Sequence, residues 1–152
     1  MDIILAFSPK LQALLATLAD HAVLRDEKLI IWFSYPVTLE LVAELVMCDK
    51  DLKKVCKTLE SRTPQHQRDK IQHEMNDPNP GVTIRILLAS MRVGGVGLNF
   101  QGDSYVGVLF ETPETLDYEL QVIGRQHRLG QLVSVIIYSL YMQGTADEVA
   151  LR

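Results

Sequence analysis

The run Leu29-Ile30-Ile31-Trp32-Phe33 offers no polar side chain to either face of a strand. Side chains alternate between the two faces of a β-strand, so a run of this kind has to be buried on both. Similar runs fall at residues 83–89 (TIRILLA), 105–110 (YVGVLF) and 133–140 (VSVIIYSL), with a shorter candidate at 55–59. Between them the apolar spacing changes to helical. Ser8-Pro9-Lys10 opens a helix, because serine caps and proline suits the first helical position. Leu11, Leu14, Leu15, Leu18, Ala19 and Ala22 then form an apolar stripe at spacings of three and four. A second amphipathic helix after Ser34-Tyr35-Pro36 carries Leu41, Val42, Leu45 and Val46. A polar helix runs from Thr63-Pro64 to about Met75, where Asp77-Pro78-Asn79-Pro80-Gly81 breaks it. Another spans Leu116 to about Arg128, with Gly130 where it ends.

Buried strands alternating with helices predict an α/β fold with a mostly parallel sheet. At ordinary loop lengths, about five strands fit. In such sheets ligands meet loops beyond the carboxyl ends of the strands, which points to the segments after Ala89 and Phe110. The 152 residues suit one domain, and 47% hydrophobic with 22% charged residues is globular composition. No apolar run approaches a bilayer crossing, and the start MDIILAFSPK lacks the basic region of a secretory signal, so no membrane partner is expected. Cys48 and Cys56 are too few for a disulfide framework or a zinc knuckle. They read as buried packing thiols in a reducing compartment. A net charge of −4 does not mark a stand-alone nucleic-acid binder, so any such role rests on a local patch or on a basic partner.

The most informative segment is Gln121-Val122-Ile123-Gly124-Arg125-Gln126-His127-Arg128-Leu129-Gly130-Gln131. On a helix, Arg125 and Arg128 share a face. Two forked guanidiniums presented together bridge phosphate oxygens and balance charge developing in phosphoryl transfer. Arginines in a last helical turn also simply complement the macrodipole. The second segment, Ser90 to Phe100, runs from a strand into Gly94-Gly95-Val96-Gly97, where backbone N–H groups can approach phosphate closely. By itself that turn is equally a tight strand-to-helix crossover.

The first segment resembles motif VI of the SWI/SNF-related ATPases, the translocase branch of superfamily-two helicase-like proteins. All seven fixed positions of Q-x-x-G-R-x-H-R-x-G-Q are present. The resemblance implies that Arg125 and Arg128 are arginine fingers directed at ATP, supported by Gln121, Gly124 and Gln131. Ser90, Arg92, Gly94, Gly95, Gly97 and Asn99 resemble motif V of the same family. That similarity implies a nucleotide-site role for Gly95 and Gly97, and DNA contacts from Ser90 and Arg92. The strand ending at Ser34 and the helix after it resemble motif IV, which adds Ser34 to the DNA contacts. The segments Ser8-Pro9-Lys10-Leu11 and Gly144-Thr145-Ala146-Asp147-Glu148 resemble the entry and exit of the same lobe.

The resemblance thus spans nearly the whole chain and implies a single RecA-like second lobe over residues 1–152, working on double-stranded DNA, or nucleosomes, in the nucleus. Two segments depart from the family pattern. Leu59-Glu60-Ser61-Arg62-Thr63 replaces Leu-Asp-Gly-(Ser/Thr), placing an arginine on an expected DNA-facing surface. Glu111-Thr112-Pro113-Glu114 replaces an aromatic-Asn-Pro segment, which makes an expected DNA-facing loop acidic.

No G-x-x-x-x-G-K-(S/T) loop is present in these residues, and no acidic pair ends a strand. ATP and Mg²⁺ are therefore expected to be held mainly by an N-terminal RecA-like lobe, in cis or in trans. No appreciable turnover is expected from this chain alone. The alternative is an orphan lobe acting as a DNA- or protein-binding module. His66 and His73 lie about 10 Å apart along a helix and cannot share a metal ion. They read as surface histidines, and no metal site is expected. Lys50, Lys53, Lys54 and Lys57 interleave with Asp49 and Asp51 and read as a solvated face.

Overall fold

The structure, a computed structural model, describes residues 8–79, 81, 83–94, 97–113, 115–127 and 133–150. Five strands form one sheet: β1 (Leu29–Phe33), β2 (Cys56–Leu59), β3 (Ile86–Ser90), β4 (Val106–Leu109) and β5 (Ile136–Ser139). Their spatial order is β2-β3-β1-β4-β5, and every pairing is parallel. The sheet is thus all-parallel where the sequence predicts mostly parallel. Every residue of β1, β3 and β4 is buried, as their unbroken apolar runs require. β5 differs: Ile136 is 45% and Tyr138 38% exposed, because β5 is an edge strand. An apolar run alone does not separate an edge strand from a central one.

Helices α1 (Pro9–Leu18) and α2 (Pro36–Cys48) cover one face. Leu11, Leu14 and Leu18 of α1 join Leu39, Val42 and Val46 of α2 against Leu29, Ile31 and Phe33. Ser8 caps α1, its side chain accepting from the Leu11 N–H. A one-turn α3 (Leu52–Val55) leads into β2. The other face packs under α4 (Gln65–Asn76) and α6 (Leu116–Gln126), with Ile30, Trp32, Leu87, Ala89, Met75, Phe100 and Val122 between. The short helices α5 (Met91–Gly94) and α7 (Ala146–Ala150) follow β3 and β5.

After Leu18 the first helix widens into a π turn, Ala19–Leu24, whose Asp20 carbonyl accepts from the Arg25 N–H at 3.1 Å. The turn carries His21, 3% exposed, into the protein. There the His21 ring nitrogens meet Glu27 Oε2 at 2.5 Å and the Tyr138 hydroxyl at 3.1 Å. At the same end of the sheet, Lys28 is 2% exposed. Its ammonium donates to the carbonyls of Glu74 (2.9 Å), Met75 (3.4 Å) and Asp77 and pairs with Asp103 at 3.2 Å. A cation thus closes the carboxyl terminus of α4, where unpaired carbonyls accumulate.

Cys48 is exposed and Cys56 half-buried, so Cys48 is no packing thiol. It falls on the outward side of α2's last turn. Burial pushes the Cys56 thiol up to about 12. His66, His73, Lys50, Lys53, Lys54 and Lys57 are all on the surface. Among the described residues no helix is long and apolar enough to cross a membrane.

Candidate functional site

Three strands leave the sheet side by side at their carboxyl ends: β1 into Ser34, β3 into α5, and β4 into Phe110 and Glu111. Glu111 ties two of these exits together. One carboxylate oxygen accepts from the Ser34 N–H at 3.0 Å, and the other accepts from the Thr38 hydroxyl at the start of α2. The side chain is turned inward, leaving Glu111 8% exposed. The acidic loop expected at 111–114 is therefore, at Glu111, an internal clamp; Glu114 lies outside the described residues. Burial raises the Glu111 carboxyl above the ordinary glutamate range, against the opposing pull of Thr38, the Ser34 N–H and Lys10. Lys10 lies 5.3 Å over the Phe110 ring and pairs with Asp147 at 2.7 Å, joining α1 to α7 at this end.

Ser34, Met91, Arg92, Pro113 and Tyr118 line a small surface cleft above these exits. Two residues expected to touch DNA, Ser34 and Arg92, thus meet in one place. The Ser34 hydroxyl rests on the Met91 sulfur at 3.3 Å, and Arg92 is exposed on α5. Ser90, the third, is 4% exposed as the last residue of β3, paired with Phe33, and does not line the cleft. Arg62 lies 73% exposed beyond β2, but its guanidinium is bound to Glu60 at 2.8 Å and Glu40 at 3.1 Å. Two glutamates already balance that charge.

The two glycine- and arginine-bearing segments are bonded to one another. Gly97 has φ +64°, a left-handed conformation open to glycine. It turns the chain so that Leu98 and Phe100 plug the core beneath α6, at 3% and 0% exposure. The Phe100 N–H donates to the Arg125 carbonyl at 2.8 Å, and the Arg125 guanidinium reaches the Leu98 carbonyl at 3.5 Å. Gln121 is exposed one turn earlier on α6, and a side chain at Gly124 would meet open space. Arg128, Gln131 and Gly95 lie outside the described residues. The expected helix to about Arg128 is cut short, since α6 ends at Gln126 and His127 is extended.

Gln126, the last residue of α6, anchors its end. It is fully buried, accepts from the Trp32 indole N–H at 3.2 Å, and donates to the carbonyls of Ser104 (3.1 Å) and Val106 (3.0 Å). The amide has room only because residue 107 is glycine: a Cβ there would lie 2.4 Å from Gln126 Oε1. Sequence reading passed over Gln126, which occupies a variable position of its motif. Two signals mark the site: a lone glycine inside an apolar strand, and a tryptophan in a buried strand whose N–H needs a partner.

Arg92 and Ser34 bring a guanidinium and a hydroxyl to the cleft at the carboxyl ends of the strands, while Arg125 lies further along α6, next to Gln126, whose amide reaches the start of β4. Among the described residues no three His, Cys, Asp or Glu side chains come together as metal ligands.

Residues 9–130 match the helicase conserved C-terminal domain. The DNA repair and recombination protein RAD54B of Mus musculus is 34% identical over 93% of this chain, and RDH54 of Saccharomyces cerevisiae is 32% identical over 95%. The chain spans about 15% of the length of each. The chromatin structure-remodeling complex subunit snf21 of Schizosaccharomyces pombe is 33% identical over 59% of this chain, which covers 7% of that protein. In fold, the chain is similar to the C-terminal part of the Fun30 ATPase domain, with a TM-score of 0.82 and 23% identity. That superposition takes in 95% of this chain and 44% of the other. With the parallel sheet, the two joined motifs and these likenesses in agreement, the chain belongs to the helicase conserved C-terminal domain family, in its SWI/SNF-type ATPase branch.

Proposed function

We propose that this chain is the second RecA-like lobe of a DNA translocase, gripping one strand of double-stranded DNA and completing an ATPase site with an N-terminal RecA-like lobe, in cis or in trans. The observation that carries the reading is the bonding of the Gly97–Phe100 loop to Arg125. Through it, a shift of the glycine-rich segment on DNA moves the arginine that faces nucleotide, and the reverse. ATP bound with Mg²⁺ on the other lobe supplies the phosphoryl group and the driving energy. The tasks of this chain are to orient Arg125 and Arg128 towards the phosphates, to support them with Gln121, Gly124, Gln131, Gly95 and Gly97, and to hold DNA through Ser34 and Arg92, with Ser90, buried at the end of β3, positioning Arg92. DNA in chromatin, including nucleosomes, and a nuclear location belong to the same proposal.

The test adds a purified N-terminal lobe in trans, or fuses one in cis, and measures DNA-stimulated ATP hydrolysis. Replacing Arg125 by Ala is expected to lower turnover by about three orders of magnitude or more, the scale of an arginine finger. A solvated arginine would leave the rate unchanged and refute the role. The pairing of Arg62 with Glu60 and Glu40 and the inward turn of Glu111 favour a second reading, a regulatory module without turnover. Retained DNA binding with no hydrolysis in either reconstitution selects that one.

A further inference from the structure

We propose that Tyr118 and Pro113 form the sugar-binding wall of the Arg92 cleft, so that the cleft takes one deoxyribose–phosphate unit of a DNA strand. The inference rests on the DNA-gripping role proposed above and adds residues to it. The cleft joins two kinds of surface. Arg92 and Ser34 bring a cation and a hydroxyl, which suit a phosphate. Met91, Pro113 and Tyr118 bring a thioether, a pyrrolidine ring and a phenol, which suit the apolar face of a sugar. Tyr118 is 43% exposed, and the Thr115 side chain accepts from its backbone N–H, so the first turn of α6 is fixed beneath the ring. The ring is therefore presented on a capped helix. An aromatic wall beside a guanidinium matches the alternation of charge and apolar surface along a nucleic-acid backbone. A lone phosphate would leave the apolar wall unused.

The experiment follows fluorescence anisotropy of a fluorescein-labelled mixed-sequence duplex titrated with the full chain at several KCl concentrations. Arg92→Ala is expected to weaken binding and to reduce the slope of log K against log salt by about 0.9, the value for one phosphate contact. Tyr118→Ala is expected to weaken binding about three- to tenfold with the slope unchanged, since it removes apolar contact and no charge. Tyr118→Phe, which keeps the ring, binds as wild type. Leu120→Ala, at a residue 57% exposed on the same helix but outside the cleft, also leaves affinity unchanged. Wild-type affinity in Tyr118→Ala, or an equal loss in Leu120→Ala, overturns this inference while the DNA-gripping role stands, provided Arg92→Ala is impaired. Absence of duplex binding by the wild-type chain overturns both.

Discussion

Replacing Gln126 by Leu, close in size and without polar atoms, isolates the hydrogen bonds that anchor the end of α6. The substitution strands the Trp32 indole N–H in the core and removes one donor from each of the Ser104 and Val106 carbonyls. An unsatisfied buried donor costs about 1–3 kcal/mol, and the two carbonyls, each with a second lone pair, add less. The sum is about 2–5 kcal/mol, a large share of the roughly 5–15 kcal/mol that holds a domain together. With a urea m-value of about 2 kcal/mol per molar, the unfolding midpoint falls by about 2 M. Trp32 is the single tryptophan of the chain, so its fluorescence reports both the lost partner and the transition. A double-mutant cycle with Gly107→Ala sharpens the test. In the wild-type background the new Cβ meets Gln126 Oε1 at 2.4 Å and Ile137 Cδ1 at 2.6 Å; with Gln126 truncated to Ala only the second contact remains. The two changes should couple by at least about 1 kcal/mol. A Gln126→Leu protein within 1 kcal/mol of wild type, with Trp32 emission unshifted, or an additive cycle, would refute the reasoning.

Lys28→Met should destabilise the domain by about 2–4 kcal/mol, because it uncovers the α4 terminus and leaves Asp103 unpaired. Hydrogen exchange should show protection lost first in the last turn of α4, and adding Asp103→Asn should recover part of the loss. Glu111 gives a pH signature with a definite sign. Its folded pKa lies above its unfolded one, so the stability it contributes is fully present below the unfolded value and is lost as pH rises through the raised folded value. The stability of Glu111→Gln relative to wild type, followed by urea unfolding from acid to neutral pH, should therefore increase with pH. A flat difference would count against the burial of this carboxylate.

The sheet was legible because its three central strands consist of residues that tolerate no water, and β1 matches its sequence boundaries residue for residue. The ends were less legible. The 133–140 run shrinks to Ile136–Ser139 since an edge strand pairs on one side only, and periodicity carries no information about edges. The joining of the Gly97–Phe100 loop to α6 was not legible. Phe100 and Arg125 meet through backbone atoms, which leave no compositional trace. Glu111 reads in sequence as a surface charge, and its inward turn depends on an N–H and a hydroxyl more than 70 residues away. Lys28 misleads in the same way: a lysine before a strand gives no hint of the carbonyls 46 to 49 residues on that it serves.

The π turn at Ala19–Leu24 has a consequence for chain length. A π turn is an α-helix carrying one surplus residue, accommodated by a wider hydrogen-bonded ring. The outer positions of the bulge, Val23 and Leu24, are 51% and 78% exposed, so the surplus is stored where it disturbs little packing. A relative one residue shorter at this point is expected to run an unbroken α-helix into the turn before β1. A residue at the place of His21 would then be rotated by about 100° away from the Tyr138 hydroxyl. The His21–Tyr138 contact and the single-residue insertion should be gained or lost together, as one heritable unit.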